Sequence, residues 1–299
     1  MKRKAFIEKT AKVIFFICAA IAILAVCSIT FFMIIKGAPA LKKVGVFSLL
    51  FGTKWMPTAE TPSYGIFYII LSSVVGTFMS VLIGVPIALM TAVFLSELSG
   101  KITGKVVGSA VELLAAIPSV IYGLIGMMIL NPFMYKLEKI IFEGSETHQY
   151  TGGANMLSAI LVLAIMILPT VISVSVSSLN AVSDSLRSAS LALGADKLQT
   201  IFKVTIPAAR SGILTGVVLG IGRALGEAMA INMVAGGAVN IPLPFNSVRT
   251  LTTQIVSEMG YAEGLHRKVL FTVGLVLYIF IMVINFILLK ARKKGEACE

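Results

Sequence analysis

Apolar residues fall into six long runs, at 13–35, 65–95, 110–130, 155–178, 212–238 and 269–289. A helix needs about 20 such residues to cross a hydrocarbon core of about 30 Å, and each run supplies them. The pattern predicts an all-α membrane protein with six transmembrane helices. Pro86 in the second run and Pro118 in the third mark kinks or breaks, because proline lacks an amide donor and crowds the preceding turn. Between runs, 36–64 carries Trp55-Met56-Pro57 and Pro62 and reads as an ordered external segment or a helix at the interface. The stretch 131–154 mixes Lys136, Glu138, Lys139, Glu143 and Glu146 and reads as a solvated loop.

Composition agrees with a bilayer environment. Charged residues make up 13 % of the 299-residue chain and mean hydropathy is +0.96, against about a quarter charged in soluble domains. The net charge of +11 must then be read through topology. With the N-terminus inside, the inner segments 1–12, 96–109, 181–211 and 290–299 hold 15 Lys and Arg, and the outer segments 36–64, 131–154 and 239–268 hold 9. The positive-inside rule therefore places both termini in the cytoplasm. The excess charge belongs to flanks beside anionic lipid, and nucleic acid is not a partner. The run after Lys2-Arg3-Lys4 is long for a signal peptide and ends in no A-x-A site. Leu24-Ala25-Val26-Cys27 resembles a lipoprotein box, but Val26 stands where a small residue is wanted. An uncleaved anchor helix is expected. Cys18, Cys27 and Cys298 have neither metal-ligand spacing nor the makings of a disulfide framework.

Familiar chemistry is absent. Gly100-Lys-Ile-Thr-Gly104-Lys105-Val106 is one residue short of a P-loop, and Val106 offers no hydroxyl for magnesium. The chain is not expected to bind ATP, any other cofactor or a metal. Gly220-x-Gly222 follows no strand and runs on to Leu225, so the dinucleotide fingerprint fails. His148 and His266 lie in separate external segments without ligand partners at the usual spacing and read as solvated. Neither H-E-x-x-H nor G-x-S-x-G occurs.

The segment 181–211 reads as two short helices. Ser183, Asp184 or Ser185 can cap the first, and Gly194 can end it. The second is predicted from Lys197 to Ile206, stopped by Pro207, with Leu198, Ile201, Phe202 and Thr205 on one face. Such a knob can fill a groove on a partner or pack on its own bundle; spacing alone leaves both open.

The same segment resembles the cytoplasmic signature of ABC importer permeases: Glu-Ala-Ala, three residues, Gly, nine residues, then Ile-x-Leu-Pro. Ser188-Ala189-Ser190, Gly194 and Val204-Thr205-Ile206-Pro207 keep that spacing, with Ser188 in place of the glutamate. Glu112-Leu-Leu-Ala-Ala-Ile-Pro118-Ser119-Val-Ile-Tyr122-Gly123 resembles the third-helix motif of phosphate-importer permeases. Arg223-Ala-Leu-Gly226-Glu227, with the residues that follow, is similar to the PstC-type phosphate permeases, as is Thr250-Leu-Thr-Thr-Gln-Ile. Sulfate and molybdate permeases share the Arg-Ala-x-Gly-Glu segment. A membrane scaffold or a channel not coupled to ATP is the reading from another class. The resemblance implies a type I permease fold with cytoplasmic coupling helices, in a bacterial cell membrane. It also implies a second homologous permease subunit, an ATP-binding subunit dimer and an extracytoplasmic phosphate-binding protein. Ser188, Ala189, Gly194, Leu198, Ile201, Phe202, Ile206 and Pro207 would engage the ATPase. On this basis 1–60 is an N-terminal flank, anchor helix and external segment, 61–290 the transmembrane domain, and 291–299 a cytoplasmic tail.

Two charges stand inside the fifth run. Arg223 and Glu227 are spaced i, i+4 and would share one helix face. A charge at mid-bilayer costs about 2.5–3.5 kcal/mol on insertion scales, so both should face the bundle interior or water. Gly216-x-x-x-Gly220 and Gly222-x-x-x-Gly226 suggest close helix approach beside them. A guanidinium fork matches a tetrahedral oxyanion. The pair therefore reads either as a transient substrate contact along a pathway, with Glu227 tempering Arg223, or as an ion pair fixing helix five to a neighbour.

Overall fold

A computed structural model describes residues 2–296, with side chains over 8–287 and at Lys290. Cys298 and the end of the tail lie outside the described residues. The helices are α1 (Lys2–Val44), α2 (Val46–Phe51), α3 (Phe67–Val93), α4 (Lys101–Ala116), α5 (Ser119–Ile125), α6 (Asn131–Ile141), α7 (Met156–Asn180), α8 (Asp184–Ala192), α9 (Lys197–Thr200), α10 (Ile206–Gly226), α11 (Met229–Val234), α12 (Leu251–Glu258) and α13 (Gly264–Glu296). A two-stranded antiparallel hairpin, β1 (Trp55–Met56) and β2 (Ser63–Tyr64), follows α2 with Trp55 opposite Tyr64. Among the described residues six helical segments are long and apolar enough to cross a membrane.

The bundle is organised around α7, which packs against both α3 and α10. Its residues are apolar on every side over Met156–Ile172 apart from Ser158 and Thr170, as expected of a helix with no solvent face. Ile160, Leu163, Met166 and Ile167 fill the centre of the core. Helix α1 is just as apolar, yet its central window is unburied. It rests along α13 at the edge of the bundle, and its exposed side chains suit lipid contact.

The third span differs from the apolar run that announced it. Val111 of α4 clusters with Val171 and Ile172, while Gly126 lies against Val162. The crossing is thus assembled from two pieces. Pro118 divides them: it holds Ile117 extended at φ −68°, ψ 125°, the conformation a following proline favours. The hydroxyl of Tyr122 donates to the carbonyl of Leu114 at 2.7 Å, satisfying an acceptor left over at the end of α4. Glu112 accordingly lies near the end of α4. The polar stretch expected to be a solvated loop begins with α6, whose Asn131, Met134 and Glu138 are buried.

Neither Pro86 nor Pro207 ends a helix. Helix α3 continues past Pro86. Pro207 occupies the first turn of α10, where a missing amide costs nothing. It is preceded by a π-helical turn at Ile201–Thr205 that carries the chain from α9 into α10 without a break. Two further π turns lie at Phe94–Leu98, after α3, and at Gly126–Leu130, between α5 and α6.

Candidate functional site

The fifth span is interrupted near mid-bundle. Helix α10 stops at Gly226, and Glu227 is extended at φ −72°, ψ 128°. The i, i+4 geometry expected for Arg223 and Glu227 therefore does not form, and no ion pair joins them among the described residues. The carboxylate of Glu227 instead accepts from the amide of Ala230 at 2.9 Å, capping the start of α11. Its backbone carbonyl accepts from the hydroxyl of Thr252 at 2.7 Å. These bonds satisfy the peptide groups freed by the break, as a non-helical backbone at membrane depth requires.

Arg223 donates from Nη1 to the hydroxyl of Thr170 at 3.3 Å. Thr170 sits near the middle of α7 (Met156–Asn180), which sets the depth of the guanidinium. The arginine is half-buried. Leu219, Gly222, Gly226 and Met229 are exposed beside it, so a strip of small and apolar residues borders the charge. The four glycines do not act alike. A Cβ on Gly216 would meet Val174 Cβ at 3.1 Å and one on Gly220 would meet Val171 Cγ2 at 2.8 Å, whereas Gly222 and Gly226 face nothing within 4 Å. The first pair lets α10 approach α7; the second pair leaves an open seam.

At the opposite end of α10, the segment 181–211 forms a helical knob. Ser183 precedes α8 but makes no capping bond. Leu193 closes α8, and Gly194 takes the left-handed φ of 90°, which glycine adopts without a Cβ penalty. Asp196 caps α9 through a reciprocal box with Gln199. Ser190 and Thr200 join the two helices, Oγ to Oγ1, at 2.9 Å. The single apolar face expected for the second helix divides. Ile201 and Thr205 are buried, whereas Leu198 is 57 % and Phe202 51 % exposed. The buried pair anchors the π turn to the bundle, and the exposed pair lies i, i+4 on the outside. Leu186, Leu191 and Leu193 are exposed around them, with Ser188, Ala189, Gly194 and Pro207, while Ile206 is half-buried. Large apolar side chains left exposed on one short segment are the material of an interaction site.

The two histidines are not solvated. His148 Nε2 lies 2.8 Å from the buried carboxylate of Glu138 and stacks on Phe142 at 3.7 Å between centroids. Glu138 also accepts from the amide of Thr151 at 3.0 Å. His266 Nε2 lies 2.7 Å from Glu258, which further accepts from Arg249 at 2.6 Å and from the indole of Trp55. Each cluster ties a segment between spans to a helix end. Burial also pushes the phenol of Tyr64, on the hairpin that carries Trp55, above its usual value. Sequence spacing gave no sign of these clusters, because their members come from elements brought together only by the fold. Among the described residues no group of three or more His, Cys, Asp or Glu forms a metal site.

The model of one transporter family matches residues 84–292 of this chain. The chain belongs to the binding-protein-dependent transport system inner membrane component family. It is an importer permease subunit, a multi-pass membrane protein of the ABC class. The probable ABC transporter permease protein YqgH of Bacillus subtilis is 38 % identical over 96 % of this chain and 92 % of its own length. The phosphate transport system permease protein PstC of Pasteurella multocida is 33 % identical, over 80 % of this chain and 77 % of that protein. PstC of Xylella fastidiosa (strain 9a5c) is 32 % identical, over 93 % and 89 %. Among solved structures, a bacterial alginate ABC transporter in complex with a pentasaccharide-bound periplasmic protein superposes with a TM-score of 0.63, at 16 % identity over 91 % of this chain and 92 % of that one. The MetNI methionine ABC transporter, inward-facing, gives 0.52 at 20 % identity over 77 % and 94 %. At such identities these structures speak to the fold alone. That fold is the type I permease fold.

Proposed function

We propose that this chain is the permease subunit of an ATP-driven importer of inorganic phosphate in a bacterial cell membrane. It forms the translocation path with a second, homologous permease chain. A dimer of ATP-binding subunits, seated on the 181–211 knob, supplies the energy, and ATP hydrolysis resides there. An extracytoplasmic phosphate-binding protein delivers the substrate. Both termini face the cytoplasm. Residues 1–60 act as flank, anchor and external segment, 61–290 as the permease domain and 291–299 as a tail.

The observation that carries this reading is the interrupted fifth span with Arg223 beside it. Its guanidinium keeps donors beyond the one bonded to Thr170, and the exposed strip along Leu219, Gly222, Gly226 and Met229 gives an anion an approach to them. Glu227 sits at the break without neutralising the arginine. A path must bind its ion firmly enough to admit it and loosely enough to release it, and one half-buried arginine meets that condition better than a closed cation cluster. The relatives named PstC favour phosphate among oxyanions.

Tagged protein purified from its native membrane is expected to retain an ATPase subunit, and labelled phosphate uptake by the complex is expected to resist competition by sulfate and molybdate. Complete absence of an ATPase subunit rejects the assembly; competition by either anion reassigns the substrate. Arg223→Gln removes a charge-assisted contact worth about 1.5–3 kcal/mol, so uptake is expected to fall roughly ten- to hundredfold while the complex still assembles. Arg223→Lys keeps the charge but loses the planar fork and should fall between. Unchanged uptake in both variants removes Arg223 from the path.

A further inference from the structure

Sequence reasoning gave no role to Arg187 or Glu97, yet the fold joins them where α8 meets the bundle. Arg187 donates from Nη2 to Glu97 Oε1 at 2.9 Å and to the carbonyl of Leu179 at 2.8 Å. From Nη1 it donates to the carbonyl of Val182 at 2.9 Å and to Asp184 Oδ1 at 2.8 Å. The Asp184 side chain is 95 % exposed, so that pair is screened by water; Glu97 is 10 % exposed and Arg187 21 %. Shielded, multiply bonded guanidinium–carboxylate pairs are the strong ones.

What makes this pair stand out is how little else holds α8. The helix has no buried residue of its own, so apolar packing does not fix it. Polar attachments do, and besides the Arg187 bonds to the carbonyls of Leu179 and Val182 two of them reach other spans. One is the Ser190–Thr200 bond to α9, from which the chain enters α10 through the π turn at Ile201–Thr205. The other is Arg187 to Glu97, which lies on the π turn Phe94–Leu98 at the end of α3. Ser96 of that same turn donates to Asn180 at 2.7 Å, joining it to the end of α7. Both attachments thus reach a membrane span through a π turn, a feature found mostly at functional positions in helices.

We propose that Arg187 is a positioning residue that transmits displacement of α8 to the second span through Glu97, so that the coupling loop moves spans two and five together. Covalent connection accounts for span five; span two, whose Ala92 and Val93 also pack with Leu179 and Ile201, meets α8 itself through the ion pair. The inference rests on the coupling role proposed for 181–211.

The test uses the complete transporter reconstituted in vesicles, measuring labelled phosphate taken up per ATP hydrolysed in wild type, Glu97→Gln, Arg187→Gln and the double variant. Each single variant is expected to keep ATP hydrolysis while phosphate per ATP falls roughly fivefold, within the range by which relay residues alter coupling. The double variant is expected to fall no further than Arg187→Gln alone, because that variant already removes the contact with Glu97. Arg187→Lys, which retains charge with fewer donors, should fall less than Arg187→Gln, and it stands in for Arg187→Gln should that variant fail to assemble. A wild-type ratio in Glu97→Gln, or losses that multiply in the double variant, overturns the relay while leaving the permease reading intact. Wild-type vesicles that hydrolyse ATP without importing phosphate overturn the functional reading itself, and the relay with it.

Discussion

At residue 227 the backbone leaves the helix, and that turn decides what both charges of the fifth span do. Side chains four apart face one another only while the helix continues; with Glu227 extended, Arg223 reaches Thr170 and Glu227 reaches the amide of Ala230. The sequence displayed both charges and their membrane setting but not the interruption. Gly226 carries no unambiguous stop signal, since glycine is common within membrane helices, and a capping carboxylate looks the same in sequence as a paired one. Glu138 and Glu258 were hidden for a related reason: their partners, His148 and Thr151 for the first and His266, Arg249 and Trp55 for the second, are brought to them by tertiary folding. The capping role has a direct consequence. Glu227→Ala deletes the acceptor at the start of α11 and is expected to cost about 1 kcal/mol, whereas Glu227→Gln keeps an acceptor oxygen and should stay near wild type. Thermal unfolding of the purified chain in detergent separates them. Equal destabilisation by the two substitutions would show that the oxygen is not what Glu227 contributes.

Among the elements, those whose surroundings are uniform were the ones legible beforehand. Helix α7 is apolar around nearly its whole circumference and appears within two residues of its run, at Met156–Asn180. The third span was legible as far as Leu130 and not beyond, because its outward continuation in α6 carries Lys136, Glu138 and Lys139, which a hydropathy pattern assigns to solvent. Pro207 misled in the other direction: proline breaks a helix interior but suits a first turn, and the π turn before it made that position available. The glycine motifs contain the same ambiguity, since spacing does not say which glycine meets a neighbour. Gly220 faces Val171 at 2.8 Å and Gly222 faces open space. Gly220→Val should therefore overpack the α7–α10 contact and destabilise by about 1–3 kcal/mol. Gly222→Ala should leave the isolated chain as stable or stabilise it by about 0.5–1 kcal/mol through helix propensity. Unfolding midpoints of the two variants decide the matter: a tolerated Gly220→Val would mean that α10 does not pack this closely.

Over the whole molecule the two ends are built differently. One end is closed by buried carboxylates that bind outlying segments down: Glu138 holds Thr151 and His148, and Glu258 holds Trp55, Arg249 and His266. The other end presents a knob whose leucines and Phe202 stand in the open. The count of lysine and arginine separated these ends only as 15 against 9; motif spacing around Gly194 and Pro207 marked the knob itself, because a docking element needs its residues at fixed distances whatever their exact identity. That is why Ser188 can replace a glutamate while the geometry of the knob persists. The asymmetry fixes where disruption should act. Leu198 and Phe202 are exposed and touch none of the core clusters, so replacing both with glutamate should leave the fold intact. If the knob is the ATPase seat, that double substitution desolvates two carboxylates against an apolar groove, and buried unpaired charge of this kind costs several kcal/mol. The Leu198→Glu, Phe202→Glu chain is expected to reach the membrane in normal amount, unfold at the wild-type temperature and lose the co-purifying ATPase. Thr58→Glu, at an exposed position at the other end, should retain it. An ATPase subunit still bound to the doubly substituted chain would place the energy-coupling contact elsewhere on the molecule.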